Sequence, residues 1–264
     1  MVPRPDLPEQ DMFKRLLPLA LAAVMATTAG CEFQVGDVGT QPSNVPTMQP
    51  GPNTGAPNAG GPPPENGQPA PGAQLSDADV TKEINDAIQV IDTYWSTHWP
   101  ELFTGTYNPP RVVGAYKADD PARPTCGGQP AEAFNAFYCI PEDYVAWDFQ
   151  LMRDGYAKGD AWIYLVIAHE WAHAVQNRLQ TSLVAEANEL QADCLAGAVL
   201  WGASQVDRTL KWEDGDTTEI STALSSFGDD LPWTDPSAHG DAVERVTAFG
   251  QGRTKGVRGC LAQS

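Results

Sequence analysis

An α+β fold, with a small antiparallel sheet packed on a helical bundle, is what this 264-residue sequence predicts, and three patterns carry that reading. Apolar residues recur every three or four positions from Val80 to Trp95, short aromatic and β-branched runs fill Arg111 to Phe149, and apolar-rich stretches return beyond Gly159. The outer two patterns have a helical period and the middle one is strand-like. Strands and helices segregated along a chain give an α+β architecture.

The chain begins less regularly. Lys14 and Arg15 precede an apolar run from Leu16 to Ala29, and the small residues Ala29 and Gly30 lead into Cys31. The run falls short of the ~20 residues needed to span a bilayer. It reads as a secretion signal with a lipoprotein-type cleavage site, residues 1–30, and Met12 would begin a signal of ordinary form. The segment is similar to the bacterial lipobox, which implies a lipid on Cys31, although Thr28 stands where that pattern prefers Leu. Residues 31–75 are dominated by Pro and Gly, consistent with totals of 23 and 24 in the chain. Such a stretch has too few large apolar side chains to offset the entropy of ordering, and reads as a disordered tether.

The folded domain is expected over 76–264. Ser76 and Asp79 have capping-box spacing, and Val80, Ile84, Ile88, Ile91 and Trp95 form one stripe of a helix ending near Pro100. His98 on this helix reads as a core residue. Arg111–Tyr116, Phe134–Cys139 and Tyr144–Phe149 are the expected strands. Helices follow over Ala161–Leu179, Glu186–Ser204, Thr217–Phe227 and Ser237–Phe249, the last with Ser237 as its cap.

Charge and cysteines bound the function. A net charge of −18 argues against nucleic acid as a partner, because that affinity rests on Lys and Arg displacing counterions. Besides Cys31, the cysteines are Cys126, Cys139, Cys194 and Cys260. In an exported chain they suggest two disulfides with three possible pairings. Cys126 with Cys139, closing a loop around Gly127, Gly128 and Pro130, and hence Cys194 with Cys260, is the favoured pairing.

His169, Glu170 and His173 form H-E-x-x-H on the helix from Ala161. Residues four apart on a helix lie about 40° apart around its axis, so both imidazoles reach one Zn²⁺. Glu170 beside them can take the proton of a water attacking a carbonyl. Glu189 and Asp193, also four apart, share a face of the next helix. Two His and one Glu are a common catalytic zinc set, which makes Glu189 the third ligand and Glu186 its rival. Asp193 would orient a ligand histidine. Ile163, Leu165, Val166, Ile167, Ala168, Ala172, Ala174 and Val175 surround the histidines, so this helix is buried and its polar groups need a partner that offsets desolvation.

These blocks resemble the putative neutral zinc metallopeptidases, a gluzincin-like group with Glu as third ligand. The matching segments are Phe134–Cys139 (F-N-A-F-Y-C), Ala168–Gln176 (A-H-E-W-A-H-A-V-Q), Glu189–Cys194 (E-L-Q-A-D-C), and His239-Gly240 with Arg245. The likeness covers roughly Arg111 to Cys260, and Ala172 stands where the family often has Gly. It implies zinc, a gluzincin-like fold and a peptide or protein substrate. At the block it matches, His239 is a candidate donor to the oxyanion formed when a carbonyl is attacked. Arg245 is either a second donor or a salt-bridge partner of Asp241 or Glu244, and the salt-bridge reading is favoured. The strand Tyr144–Phe149 is the expected pairing edge for an extended peptide. The leading expectation is therefore a zinc metallopeptidase, lipid-anchored at the outer face of a bacterial membrane. The alternative is a lipid-anchored assembly protein with a structural or vestigial zinc, against which Glu170 argues because a closed structural site needs no base.

Overall fold

A computed structural model describes residues 75–229, 231 and 239–262. The signal, most of the tether and Ser237 lie outside these residues. Helix α1 (Asp77–Leu102) opens as its sequence requires: the Ser76 side chain accepts from Asp79 N–H, and the Asp79 carboxylate accepts from Ser76 N–H. It runs past Pro100, closing when Phe103 N–H donates to Trp99 O at 2.8 Å. Val80, Ile84, Ala87, Ile91 and Trp95 are its buried stripe. His98 is not a core residue: its Nε2 sits 3.0 Å from Asp207, tying α1 to a π-helical turn over Ala203–Asp207.

Next come β1 (Arg111–Tyr116), β2 (Thr125–Cys126), β3 (Gln129–Pro130), β4 (Ala136–Cys139) and β5 (Tyr144–Asp148). The three expected strands form one sheet in the order β1-β5-β4, but it is mixed: β4 pairs antiparallel with β5 and β1 pairs parallel. The long excursion through the β2–β3 hairpin lets the chain return in the same direction, which a tight turn cannot do. The order corrects another expectation. β5 is the central strand and spends its edges on β1 and β4, so it has none to offer a substrate. It also ends early, because Asp148 caps helix α2 (Phe149–Tyr156) by accepting from Gln150 N–H at 2.8 Å.

The bundle comprises α3 (Asp160–Gln176), α4 (Asn188–Gly202), α5 (Asp216–Phe227) and α6 (Ala242–Lys255). Every residue of α3 from Ala161 to Gln176 is buried, as its apolar surroundings predict. α1 and α4 both pack on α3, and α4 also packs on α6. The cap of α6 is Asp241, whose side chain accepts from Val243 and Glu244 N–H, so this helix starts later than expected. α4 and α6 meet almost backbone to backbone. A Cβ on Gly252 would lie 1.7 Å from Cys194 O, and one on Gly197 would lie 2.2 Å from Phe249 O. Only glycine fits such an approach. Two disulfides complete the frame, Cys126–Cys139 and Cys194–Cys260, the favoured pairing. Among the described residues no helix is long and apolar enough to cross a membrane.

Candidate metal centre

The geometry begins with one turn of α3. His169 and His173 place their Nε2 atoms 3.2 Å apart. From α4, Glu189 brings Oε2 to 3.2 Å from His169 Nε2 and Oε1 to 3.4 Å from His173 Nε2. All three residues are buried. Glu186 is exposed and precedes α4, so the rival ligand is set aside.

The outer nitrogens explain what the inner ones do. His169 Nδ1 lies 2.9 Å from Asp193 Oδ1, and His173 Nδ1 lies 2.8 Å from Gln176 Oε1. An ionised carboxylate and an amide oxygen only accept, so each Nδ1 carries the proton and donates it. In the neutral ring Nε2 is then a bare lone pair. Two such lone pairs and a carboxylate facing one another out of water repel, and a cation between them removes the conflict. The titration behaviour points the same way. Burial pushes the His173 imidazole down, yet Glu189 outweighs it and leaves the ring raised. Burial pushes Glu189 up, yet His173 and His169 hold it well below the usual carboxylate range. The cluster demands positive charge, and its imidazole–carboxylate chemistry suits zinc.

Other acidic or sulfur groups fit zinc less well. Cys126 and Cys139, beside Glu142, are spent in a disulfide. Asp160, Asp216 and Glu219 form an all-oxygen cluster in which burial pushes the Asp216 carboxyl up to about 6. Among the described residues, His169–His173–Glu189 is the sole three-ligand group containing imidazole.

The comparison with known families agrees. The family model described as putative neutral zinc metallopeptidase matches residues 54–259. The chain belongs to this family. The match starts upstream of Arg111 and spans the described domain up to Gly259. No curated protein and no solved structure matches the chain. Membership in a zinc metallopeptidase family implies Zn²⁺, and the donor set found in the fold fits it.

The remaining site residues fall around this centre. Glu170 is 2% exposed, and its charge is felt by both His173 and Tyr116. Asp193 lies behind His169 with no exposed surface. Arg245 makes its salt bridge with Asp193, where Asp241 or Glu244 was the expected partner. It is 1% exposed, and its Nε and Nη2 donate to Asp193 Oδ2 and Oδ1 at 2.8 and 2.9 Å. The physical reason is the glycine-lined approach of α6 to α4, which brings residue 245 up to Asp193. His239 is partly buried, and its backbone N–H and Nδ1 both engage Asp229 Oδ2, at 2.8 and 2.9 Å. The following Gly240 packs against Leu190, next to Glu189. Gln176 and Gln191 are polar, buried and were not singled out from sequence. Gln176 lies three residues after His173, a spacing that puts two side chains on one helix face, and that signal was available.

Proposed function

We propose that this chain is an active zinc peptidase that hydrolyses peptide bonds outside the bacterial cytoplasm. The observation that carries the reading is the convergence of the His169, His173 and Glu189 donor atoms beside a buried acid, Glu170, on the same helix. His169, His173 and Glu189 are the ligands. Zinc, when bound, supplies a Lewis acid that polarises a carbonyl and acidifies a nearby water. Glu170 takes the proton of the attacking water and hands it to the departing amine, a role worth about 10² to 10⁴ in rate. Asp193 holds His169 in the tautomer that presents Nε2. His239, its Nδ1 anchored by Asp229, is the candidate donor to the oxyanion. An extended substrate needs an unpaired strand edge, and β4 is the edge strand that packs against α3.

The location rests on Lys14, Arg15, the apolar run Leu16–Ala29 and Cys31, with residues 1–30 removed, Cys31 lipidated and 31–75 tethering a catalytic domain of 76–264. Two disulfides in one small domain support an oxidising compartment. The activity is tested with a peptide library and the purified chain: cleavage abolished by a chelator and restored by Zn²⁺ is expected, and a chain that holds zinc but cleaves nothing would favour a structural or vestigial site. For the anchor, detergent partitioning should disappear in Cys31→Ser. Wild-type protein released free into the medium would rule the anchor out.

A further inference from the structure

The His173 support continues beyond Gln176. Gln176 Nε2 donates to Asn188 O at 2.7 Å and to Gln191 Oε1 at 3.1 Å. Gln191 Nε2 in turn donates to Leu183 O at 2.8 Å and to Cys260 O at 3.0 Å, while its Oε1 also accepts from Ala185 N–H at 3.0 Å. Both amides are buried. An amide can present its nitrogen or its oxygen to a side-chain neighbour, but backbone groups have fixed roles. Two carbonyls on one side and an N–H on the other allow Gln191 a single orientation. Its Oε1 then faces Gln176 Nε2, and Asn188 O enforces the same polarity. Gln176 is left with Oε1 toward His173, which obliges Nδ1 to carry the proton and Nε2 to be the ligand atom.

We propose that Gln176 and Gln191 form an amide relay that positions His173 for zinc by transmitting the polarity of four backbone groups to its ring. The relay rests on the reading of His173 as a ligand. Its far end is Cys260 O, fixed to α4 by the Cys194–Cys260 disulfide, and the Leu183 carbonyl there also accepts from Ala262 N–H at 3.1 Å. The C-terminal segment is thereby part of the metal site's support, though it contributes no ligand. Gln176 and Gln191 are positioning residues, since neither belongs to the ligand set nor serves as the base.

The test uses the full chain with ¹⁵N-labelled imidazoles, loaded with zinc. Zinc affinity is measured by chelator competition, and solvent exchange of the His173 Nδ1 proton by NMR. Gln191→Ala removes the relay's anchor. Gln176→Leu keeps the side-chain volume, orphans fewer backbone groups and decides the question if Gln191→Ala does not fold. Either folded variant should bind zinc about 10- to 100-fold more weakly, the usual cost of losing a group that orients a ligand. The Nδ1 proton should also exchange at least about tenfold faster, because its acceptor Gln176 Oε1 is either removed or no longer held in place. A general loss of stability would not single out that proton. Folded variants in which the proton stays protected overturn the relay, whatever the affinity. His173→Ala separates the two claims: if it binds zinc as tightly as wild type, the ligand assignment fails and not merely the relay.

Discussion

The two imidazoles of the centre sit one helical turn apart and are held in opposite ways. Behind His169 stands an ion pair, Asp193 with Arg245, sealed from solvent between α4 and α6. Behind His173 stand two neutral amides, Gln176 and Gln191, tied to backbone groups. Both arrangements put the proton on Nδ1, but they differ in what failure leaves behind. Removing one half of a buried ion pair strands a charge, whereas removing an amide strands neutral groups at about 1–3 kcal/mol each. A carboxylate also increases the basicity of the ring it holds. The comparison teaches that one ligand set can rest on a strong but fragile support and on a weaker, uncharged one.

The largest expected effect follows from the fragile side. Arg245→Met should destabilise the chain by roughly 3–5 kcal/mol in urea unfolding, because Asp193 is left as a buried charge. Adding Asp193→Leu should recover most of that loss without restoring zinc affinity. A single substitution costing under about 1 kcal/mol would break the distinction drawn here.

The disulfides sharpen it next. Cys194–Cys260 spans 66 residues, and removing it with paired Cys→Ser changes should cost about 4 kcal/mol in the chain-entropy model. Cys126–Cys139 spans 13 residues and should cost about 3 kcal/mol. Stability alone separates them little. Zinc affinity should separate them clearly, because only the longer bridge anchors the carbonyl of Cys260 beneath Gln191. Equal zinc affinity in the two variants would contradict that link.

The smallest effect is in pH. Burial pushes the Asp193 carboxyl up, but Arg245 and His169 outweigh it and hold the group below its ordinary value of 3.8. Between its lowered folded value and 3.8 the folded chain binds fewer protons here than the unfolded one, so the contribution is full at neutral pH and is lost as pH falls below 3.8 through the folded value. In metal-free protein, the gap in urea midpoint between wild type and Asp193→Asn should close over that acid range. The gap for Gln176→Leu should stay constant, since amides do not titrate there. Parallel behaviour of the two variants would count against the contrast.

Much of this centre is legible in the sequence. His169, Glu170, His173, Glu189 and Asp193 follow from helical spacing together with the usual ligand set of zinc, because period and burial are local properties of α3 and α4. The partner of Asp193 is not local. Arg245 lies fifty-two residues on, and its inward course depends on Gly197 and Gly252 letting two helix backbones nearly touch, a pairing that no window of sequence contains. The same holds for Gln191, whose orientation is imposed by the carbonyl of Cys260. The strands were legible as segments but not in their pairing, because the order β1-β5-β4 depends on the path through the intervening hairpin. The end of β5 follows a local rule: Asp148 is a helix cap, and a cap stops a strand as surely as it starts a helix.

The central claim is that this site separates holding zinc from moving a proton, and one paired measurement addresses it. Zinc content and peptide turnover are determined together for Glu170→Gln and Glu189→Gln. Glu170→Gln should keep stoichiometric zinc while turnover falls by about 10²- to 10⁴-fold. Glu189→Gln should lose zinc and turnover in step, with partial recovery on adding Zn²⁺, because a neutral amide replaces an anionic ligand. Loss of zinc from Glu170→Gln with retention in Glu189→Gln would contradict the assignment.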